Sequence, residues 1–203
     1  MEVRLKRTLR IALLFSLACA ALTFCSNPAQ AQRVDIGFGV STTTAPAATT
    51  SGGFPVPSLT GGAYPGFTFD VLPFHNIGIG ADIFWKASQA PYAGQPFNFR
   101  PVLWNINAVY SPKLASHTYL ELDGGLGALS TRYYTGTVCG IYTCSNYQSS
   151  NHFDVDLGGG IKLYATRGFF IRPEARFYFV NNNTDFSSNH FGRYGLSIGY
   201  TFH

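Results

Sequence analysis

The last ten residues, Tyr194–His203, alternate strictly between bulky and small side chains. The bulky positions are Tyr194, Leu196, Ile198, Tyr200 and Phe202, and Gly195, Ser197, Gly199 and Thr201 stand between them. Because successive side chains of a strand point to opposite faces, this pattern predicts a strand with one apolar face and one face of small groups. A single strand of this kind fits a soluble sandwich as well as a membrane barrel, so the rest of the chain has to decide between them.

The N-terminal 31 residues have the organisation of a secretory signal peptide. Arg4, Lys6, Arg7 and Arg10 precede the apolar run 11–24, and residues 29–31 read Ala-Gln-Ala. The run is too short for a spanning helix and suits a cleaved signal. A membrane anchor is the alternative, and a lipoprotein signal is a weaker one because the bulky Phe24 precedes Cys25. We therefore predict that residues 1–31 are removed and that residues 32–203 form one exported domain.

Removal of the signal changes the charge balance. The full chain has 14 Lys/Arg and 10 Asp/Glu. The signal contains four of the former and one of the latter, which leaves ten basic and nine acidic residues. No basic run remains that would suit nucleic acid. We expect no nucleic-acid partner and no cofactor.

Eight segments of the predicted mature chain alternate in the same way. They are residues 34–40, 67–71, 77–86, 102–110, 120–128, 153–163, 169–179 and 194–202. Long connections at 41–62, 88–98, 133–151 and 181–191 alternate with short ones at 73–76, 111–117 and 165–168. Extended outer loops and tight inner turns in alternation are typical of outer-membrane barrels. The pattern predicts an all-β fold, an eight-stranded antiparallel up-and-down transmembrane β-barrel with short periplasmic turns and long extracellular loops.

Aromatic residues on the apolar face strengthen this prediction. The predicted aromatic girdle consists of Trp85, Trp104, Tyr110, Tyr200 and Phe202. Tryptophan and tyrosine concentrate at the two interfaces between a bilayer and water. A soluble sandwich has no reason to place them on the same face, so the membrane barrel is the preferred interpretation.

The chain resembles the eight-stranded outer-membrane β-barrel family, the OmpA-like and OmpX-like barrels, over essentially all of its predicted mature length. The resemblance is sharpest at residues 158–176, where a Gly-rich strand and a tight turn lead to an Arg-x-Glu-x-Arg strand. The C-terminal alternation is similar to the signal read by the barrel-assembly machinery. The resemblance implies an outer-membrane location, with outer-membrane lipid and lipopolysaccharide as surroundings and the assembly machinery as a partner during biogenesis.

Charged residues occupy the face opposite the apolar one. The predicted lumen network is Asp82, Glu121, Asp123, Asp154, Asp156, Lys162, Arg172, Glu174 and Arg176. The lumen of an eight-stranded barrel is just wide enough for side chains to fill, so we interpret these residues as a structural ion network. The small Gly158 and Gly160 are expected to face the long side chains of residues 172–176. A catalytic or ion-conducting set is the alternative interpretation.

Two cysteines remain after the predicted cleavage, Cys139 and Cys144. In an oxidising compartment, two cysteines this close in an exposed loop favour a disulfide. A metal site is the alternative, but His152 is the one other ligand nearby. We therefore predict no metal.

The histidines give weak evidence of catalysis. Ser116 and His117 lie in a predicted periplasmic turn, and Ser188 and His190 lie outside with Asp185 as the nearest carboxylate. The first pair lies away from the outer leaflet, where lipid substrates would be, and the second has no orienting carboxylate at a convincing spacing. We therefore predict no catalytic residue and no enzyme. The leading functional hypothesis is a structural or surface-interaction barrel with a plugged lumen and an unidentified extracellular ligand. A small low-conductance pore and a lipid A-modifying enzyme are the second and third hypotheses.

Overall fold

A computed structural model describes residues 33–51, 53–136, 138–139 and 144–202. The predicted signal peptide, residues 1–31, lies outside the described residues. Eight long strands make up most of the described chain. They are β1 (Arg33–Thr44), β2 (Tyr64–Phe74), β3 (Ile77–Trp85), β4 (Asn98–Tyr110), β5 (Thr118–Tyr134), β6 (Gln148–Tyr164), β7 (Phe169–Val180) and β8 (His190–Phe202).

These strands close into a barrel. Each strand pairs antiparallel with its neighbours in sequence, from β1 with β2 to β7 with β8. The ring closes where β1 pairs with β8, with Val34 opposite Phe202 and Thr44 opposite Gly192. Closure leaves no long strand with an unpaired edge, which is the condition for a sheet to lie in lipid. The structure therefore confirms the predicted fold class.

The outer face of the barrel is apolar. Ile79, Leu157 and Ile198 are 65%, 62% and 58% exposed, and their neighbours on that face are also aliphatic or aromatic. In water, so much contiguous apolar surface would be unfavourable, whereas a bilayer solvates it. No helix in the described part of the chain is long and apolar enough to cross a membrane.

The strands extend further than the alternation predicted, and the loops contain structure of their own. β5 ends at Tyr134 and β6 begins at Gln148, so the third loop is shorter than expected. The first loop contains a hairpin of strands Thr49–Ser51 and Phe54–Val56. In the second loop, Ala90–Pro91 pairs with the start of β4. The second loop therefore continues the barrel wall, whereas the hairpin of the first loop is a separate two-stranded sheet.

The extracellular end of the interior is an apolar core. It consists of Leu59, Tyr64, Phe84, Phe99, Leu103, Leu129, Tyr178, Val180, Phe186 and Phe191, which are all buried. We call this set the outer core. Leu59 comes from the first loop and Phe186 from the fourth, so two loops fold into the mouth. At this level the inner face therefore carries large apolar side chains, which the predicted lumen network did not include.

Candidate functional site: the closed lumen

All nine residues of the predicted lumen network point into the barrel and are largely buried. Among them, Asp154, Asp156 and Lys162 are fully buried, and Arg172 is 2% exposed. A buried charge is tolerated only where other charges and hydrogen bonds compensate for its lost hydration. The partners of each charge therefore determine whether the lumen is a packed core or a water path.

Arg176 is the centre of one group of charges. Its Nη1 lies 2.7 Å from Asp82 and 2.8 Å from Asp156, and its Nη2 lies 2.7 Å from Asp123. These three carboxylates belong to β3, β6 and β5, so one guanidinium on β7 connects four strands. Asn107 donates a second hydrogen bond to Asp82, at 2.7 Å. Charge-assisted bonds of this kind are among the stronger ones in proteins.

Lys162 and Arg172 are the centre of a second group, nearer the periplasmic end. Lys162 Nζ lies 2.6 Å from Asp35 and 3.3 Å from Asp70 and also contacts Glu121. Arg172 contacts Glu121 from the other side. The carboxylates of Asp35, Asp70 and Glu121 lie close enough together to suit a metal ion. Here the ammonium of Lys162 supplies the positive charge that those oxygens surround.

Glycines make room for these side chains, as the sequence predicted. Gly158 lies opposite Arg176 and Gly160 opposite Glu174 in the pairing of β6 with β7. A Cβ at position 158 would lie 2.4 Å from Asp123 Oδ1 and 2.8 Å from Arg176 Cγ. On β5, a Cβ at position 125 would approach Asn107 Oδ1 to 1.9 Å. The absence of side chains at these positions is thus part of the packing of the network.

The structure adds charged residues that the predicted network omitted. Asp35 and Asp70 accept from Lys162, and Arg193 Nη1 lies 3.0 Å from Glu174. The guanidinium of Arg193 also stacks on Phe84, 3.6 Å from the ring centroid. Arg193 therefore joins the charged network to the outer core. Arg193 lies one residue before the segment 194–202, which the alternation predicted as the last strand. Extending that alternation by one position predicts that Arg193 points inward.

Acidic groups outnumber basic ones in the described lumen. The acidic residues are Asp35, Asp70, Asp82, Glu121, Asp123, Asp154, Asp156 and Glu174, and the basic ones are Arg33, Lys162, Arg172, Arg176 and Arg193. Asp154 has no ion-pair partner among the described residues. It accepts a hydrogen bond from Asn105 Nδ2 at 2.5 Å. Asp154 is thus the buried carboxylate with the weakest compensation.

The predicted disulfide is present. Cys139 and Cys144 are joined, with Cα atoms 4.0 Å apart, at the tip of the third loop. They are directly opposite each other in a short hairpin whose strands, Val138–Cys139 and Cys144–Ser145, have two residues each. Both residues are exposed and far from the lumen. The bond therefore restrains the loop and does not hold the barrel closed.

Within the described part of the chain, neither predicted Ser/His pair belongs to a catalytic relay. Ser188 Oγ lies 3.2 Å from His190 Nδ1, but Asp185, the carboxylate considered for that pair, instead contacts His152 Nε2 at 3.1 Å. Ser150 Oγ approaches that same nitrogen at 3.0 Å. A catalytic triad needs the serine and the carboxylate on different ring nitrogens. This geometry suits a packed polar contact between the start of β6 and the fourth loop.

The predicted girdle residues lie on the outer face. Trp104, Tyr110, Tyr200 and Phe202 are exposed, and Trp85 is half-buried against Phe67, with ring centroids 6.0 Å apart. Tyr110, Tyr200 and Phe202 stand at the periplasmic ends of their strands, and Trp85 ends β3.

Trp104 is the seventh of the 13 residues of β4, so it is not near a strand end. It lies opposite Ala128, which lies opposite Phe153 in β6. At the next outward-facing level the residues opposite one another are Val102, Ser130 and Asn151. On β5 and β6 the outer face therefore changes from apolar to polar just above Trp104, whereas Val102 keeps it apolar on β4 at that level.

Comparisons with known proteins agree on the fold. No family model matches the chain, and no curated protein matches it as a relative. Among solved structures, Neisserial surface protein A superposes with a TM-score of 0.57 at 12% identity, covering 84% of this chain and 97% of that one. The attachment invasion locus protein Ail of Yersinia pestis gives 0.53 at 11%, covering 84% and 99%. A major outer membrane protein from Thermus thermophilus gives 0.53 at 12%, covering 85% and 100%.

The fold and the comparisons define the class of this protein. It has the architecture of the eight-stranded outer-membrane β-barrels, with an apolar exterior and a buried charged network in the lumen. The outer membrane is the location that the sequence predicts and that these structural neighbours share. A likeness to the outer membrane enzyme PagL has a TM-score of 0.40 and is too distant to bear on activity.

Proposed function

We propose that this chain is a non-enzymatic outer-membrane barrel whose closed lumen acts as a rigid support for a surface formed by its extracellular loops. The observation that carries the proposal is closure at two levels. The ion pairs of Arg176, Arg172 and Lys162 fill the middle of the lumen, and the outer core fills its extracellular end. A pore would need a continuous polar path through both layers.

The loops support the proposal because they pack on one another. Tyr92 in the second loop donates a hydrogen bond to the carbonyl of Asp185 in the fourth, at 2.7 Å. The amide of Ser187 in the fourth loop donates to the carbonyl of Pro57 in the first, at 3.0 Å. A surface that is ordered before it meets its ligand loses less entropy on binding. Recognition of an extracellular ligand is therefore the role that this end of the barrel suits.

Export and insertion belong to the same proposal. Residues 1–31 would direct the chain across the inner membrane, and the C-terminal strand, β8, would present its aromatic outer face to the assembly machinery. The girdle of Trp85, Trp104, Tyr110, Tyr200 and Phe202 would then set the depth of the barrel in outer-membrane lipid. The lumen network and the disulfide would act as structural elements of the barrel and of the third loop.

Two experiments separate this function from its alternatives. Liposomes that contain the refolded protein are expected to swell in solutions of small solutes no faster than empty liposomes. Faster swelling would favour the small pore. Lipid A incubated with the protein is expected to keep its mass in mass spectrometry. Loss of an acyl chain or a phosphate would favour the lipid-modifying enzyme.

A further inference from the structure

Two arginines stand side by side on the outer face of the barrel, just above the apolar belt. Arg100 of β4 and Arg132 of β5 are directly opposite each other in the pairing of the two strands. Both arginines point outward. Arg100 is an even number of residues from Trp104 along β4, and Arg132 is an even number from Leu126 along β5. Trp104 and Leu126 are exposed on the apolar face. Like charges at directly opposed positions of a sheet repel each other and destabilise it.

Neither arginine has a carboxylate partner among the described residues. The described ion pairs involve other basic residues, and the described lumen carboxylates point to the other side of the wall. Arg100 Nε donates to the carbonyl of Lys86 at 2.7 Å, and the Arg132 guanidinium lies 5.1 Å from the ring centroid of Tyr147. These contacts orient the two side chains without neutralising them.

Below the arginines the surface becomes apolar. A shallow pocket of about 250 Å³ is lined by Ile83, Trp85, Val102, Arg100 and Arg132. Its upper part therefore carries two positive charges and its lower part three apolar side chains. The change from apolar to polar residues above Trp104 places the arginines at the level of lipid headgroups. The pocket thus has the polarity of an anionic lipid: charge towards water and hydrocarbon towards the bilayer.

We propose that Arg100 and Arg132 bind a phosphate group of a phosphorylated outer-leaflet glycolipid, lipid A, with one of its acyl chains lying along Ile83, Trp85 and Val102. Guanidinium groups match phosphate oxygens in geometry as well as in charge. A phosphate between the two arginines would convert their repulsion into a shared ion pair. The inference goes beyond the closed lumen and depends only on the placement of the barrel in an outer membrane.

The test uses delipidated full-length mature protein in a neutral detergent. Bisphosphorylated lipid A and the same lipid A after enzymatic dephosphorylation are titrated separately, and tryptophan fluorescence is recorded because Trp85 lines the pocket. The parent is expected to bind the phosphorylated form at least about tenfold more tightly, since a charge-assisted bond contributes roughly that factor. Equal affinity for the two forms would overturn the proposal, and this comparison needs no variant.

Variants then locate the site. The double variant Arg100→Gln/Arg132→Gln is expected to lose the preference for the phosphorylated form. The matched control Arg167→Gln, which removes one exposed arginine from a periplasmic turn, is expected to keep it. A double variant that retains the preference would overturn the assignment of these residues. Inorganic phosphate that competes as well as lipid A would show that the site binds a free anion, and would overturn the lipid as its ligand.

Discussion

Arg176 and Asp82 are 94 residues apart in the chain, and their side chains meet in the lumen at 2.7 Å. The same guanidinium also binds Asp123 and Asp156, so it compensates three buried carboxylates at once. Removal of one member of such a group leaves the others without compensation, and that is usually far more costly than the net contribution of the pairs. This relationship makes Arg176 the most sensitive position of the network.

Replacement of Arg176 by Ala is expected to lower the free energy of unfolding by about 3–5 kcal/mol, because three carboxylates lose their cation. Urea unfolding of the barrel refolded in vesicles measures the change. Arg167→Ala is the matched control, since Arg167 is exposed in the turn between β6 and β7. The control is expected to change stability by less than about 0.5 kcal/mol. Equal stability of Arg176→Ala and the parent would contradict the role assigned to the network.

Reversal of one pair, Asp156→Arg with Arg176→Asp, is expected to restore little of that loss. The new aspartate at position 176 would face Asp82 and Asp123, which remain negative. Neutralising the group is expected to restore more stability. The triple variant Arg176→Met/Asp82→Asn/Asp156→Asn leaves Asp123 as the one carboxylate of the three without its cation. The same unfolding experiment compares the two variants. If the charge-reversed variant were as stable as the parent, the ion pair with Asp156 would account for the whole contribution of Arg176 to stability.

Replacement of Asp154 by Asn is expected to stabilise the barrel, by about 1–3 kcal/mol, because it removes a buried charge that has no ion-pair partner among the described residues. The Asn side-chain oxygen can still accept the hydrogen bond from Asn105. Asp156→Asn is the matched comparison two residues away and is expected to destabilise, since Asp156 pairs with Arg176. The temperature at which the faster-migrating folded band disappears on gels ranks the stabilities of the parent and the two variants. Destabilisation by both substitutions would contradict this assignment of charges.

Reduction of the Cys139–Cys144 bond is expected to leave barrel stability unchanged, because the bond closes a small ring at an exposed loop tip. Non-reducing mass spectrometry of the exported protein should find the pair oxidised. The double variant Cys139→Ser/Cys144→Ser should migrate as a folded barrel on unheated gels. Free thiols in the exported protein, or a variant that no longer folds, would contradict this prediction.

Labelling on intact cells tests the orientation of the barrel. A cysteine introduced at Thr49, which is exposed in the first loop, should react with an impermeant reagent. A cysteine introduced at Arg167, in the turn between β6 and β7, should react only after the outer membrane is permeabilised. Labelling at position 167 but not at position 49 on intact cells would show that the barrel has the opposite orientation.

Alternation along the chain was enough to predict the eight strands and the inward direction of Arg172, Glu174 and Arg176. It was also enough to place Gly158 and Gly160 opposite them, because a tight turn sets the register of adjacent strands. Partners across the lumen could not be predicted in this way. Lys162 and Asp35 are 127 residues apart, and their contact depends on the stagger of the closed barrel, which no local pattern encodes.

Strand parity predicts the inward positions of the outer core, but it does not predict how the loops pack on them. Bulky apolar residues were assigned to the lipid face, yet Tyr64, Phe84, Leu103 and Leu129 occupy inward positions near the extracellular ends of their strands. Their parity alone points inward. What the sequence lacks is the depth at which the loops return into the mouth, so the contacts of Leu59 and Phe186 appear only in the folded barrel.

Single-channel recording of the refolded parent protein in a planar bilayer tests the closed lumen most directly. Because the charged network and the outer core both obstruct the path, the parent is expected to give no stable conductance steps. Arg176→Ala should also stay closed, since the outer core remains in place. The closed lumen would be contradicted if the parent gave ohmic conductance steps of the same size in every protein preparation. That result would identify the barrel as a pore.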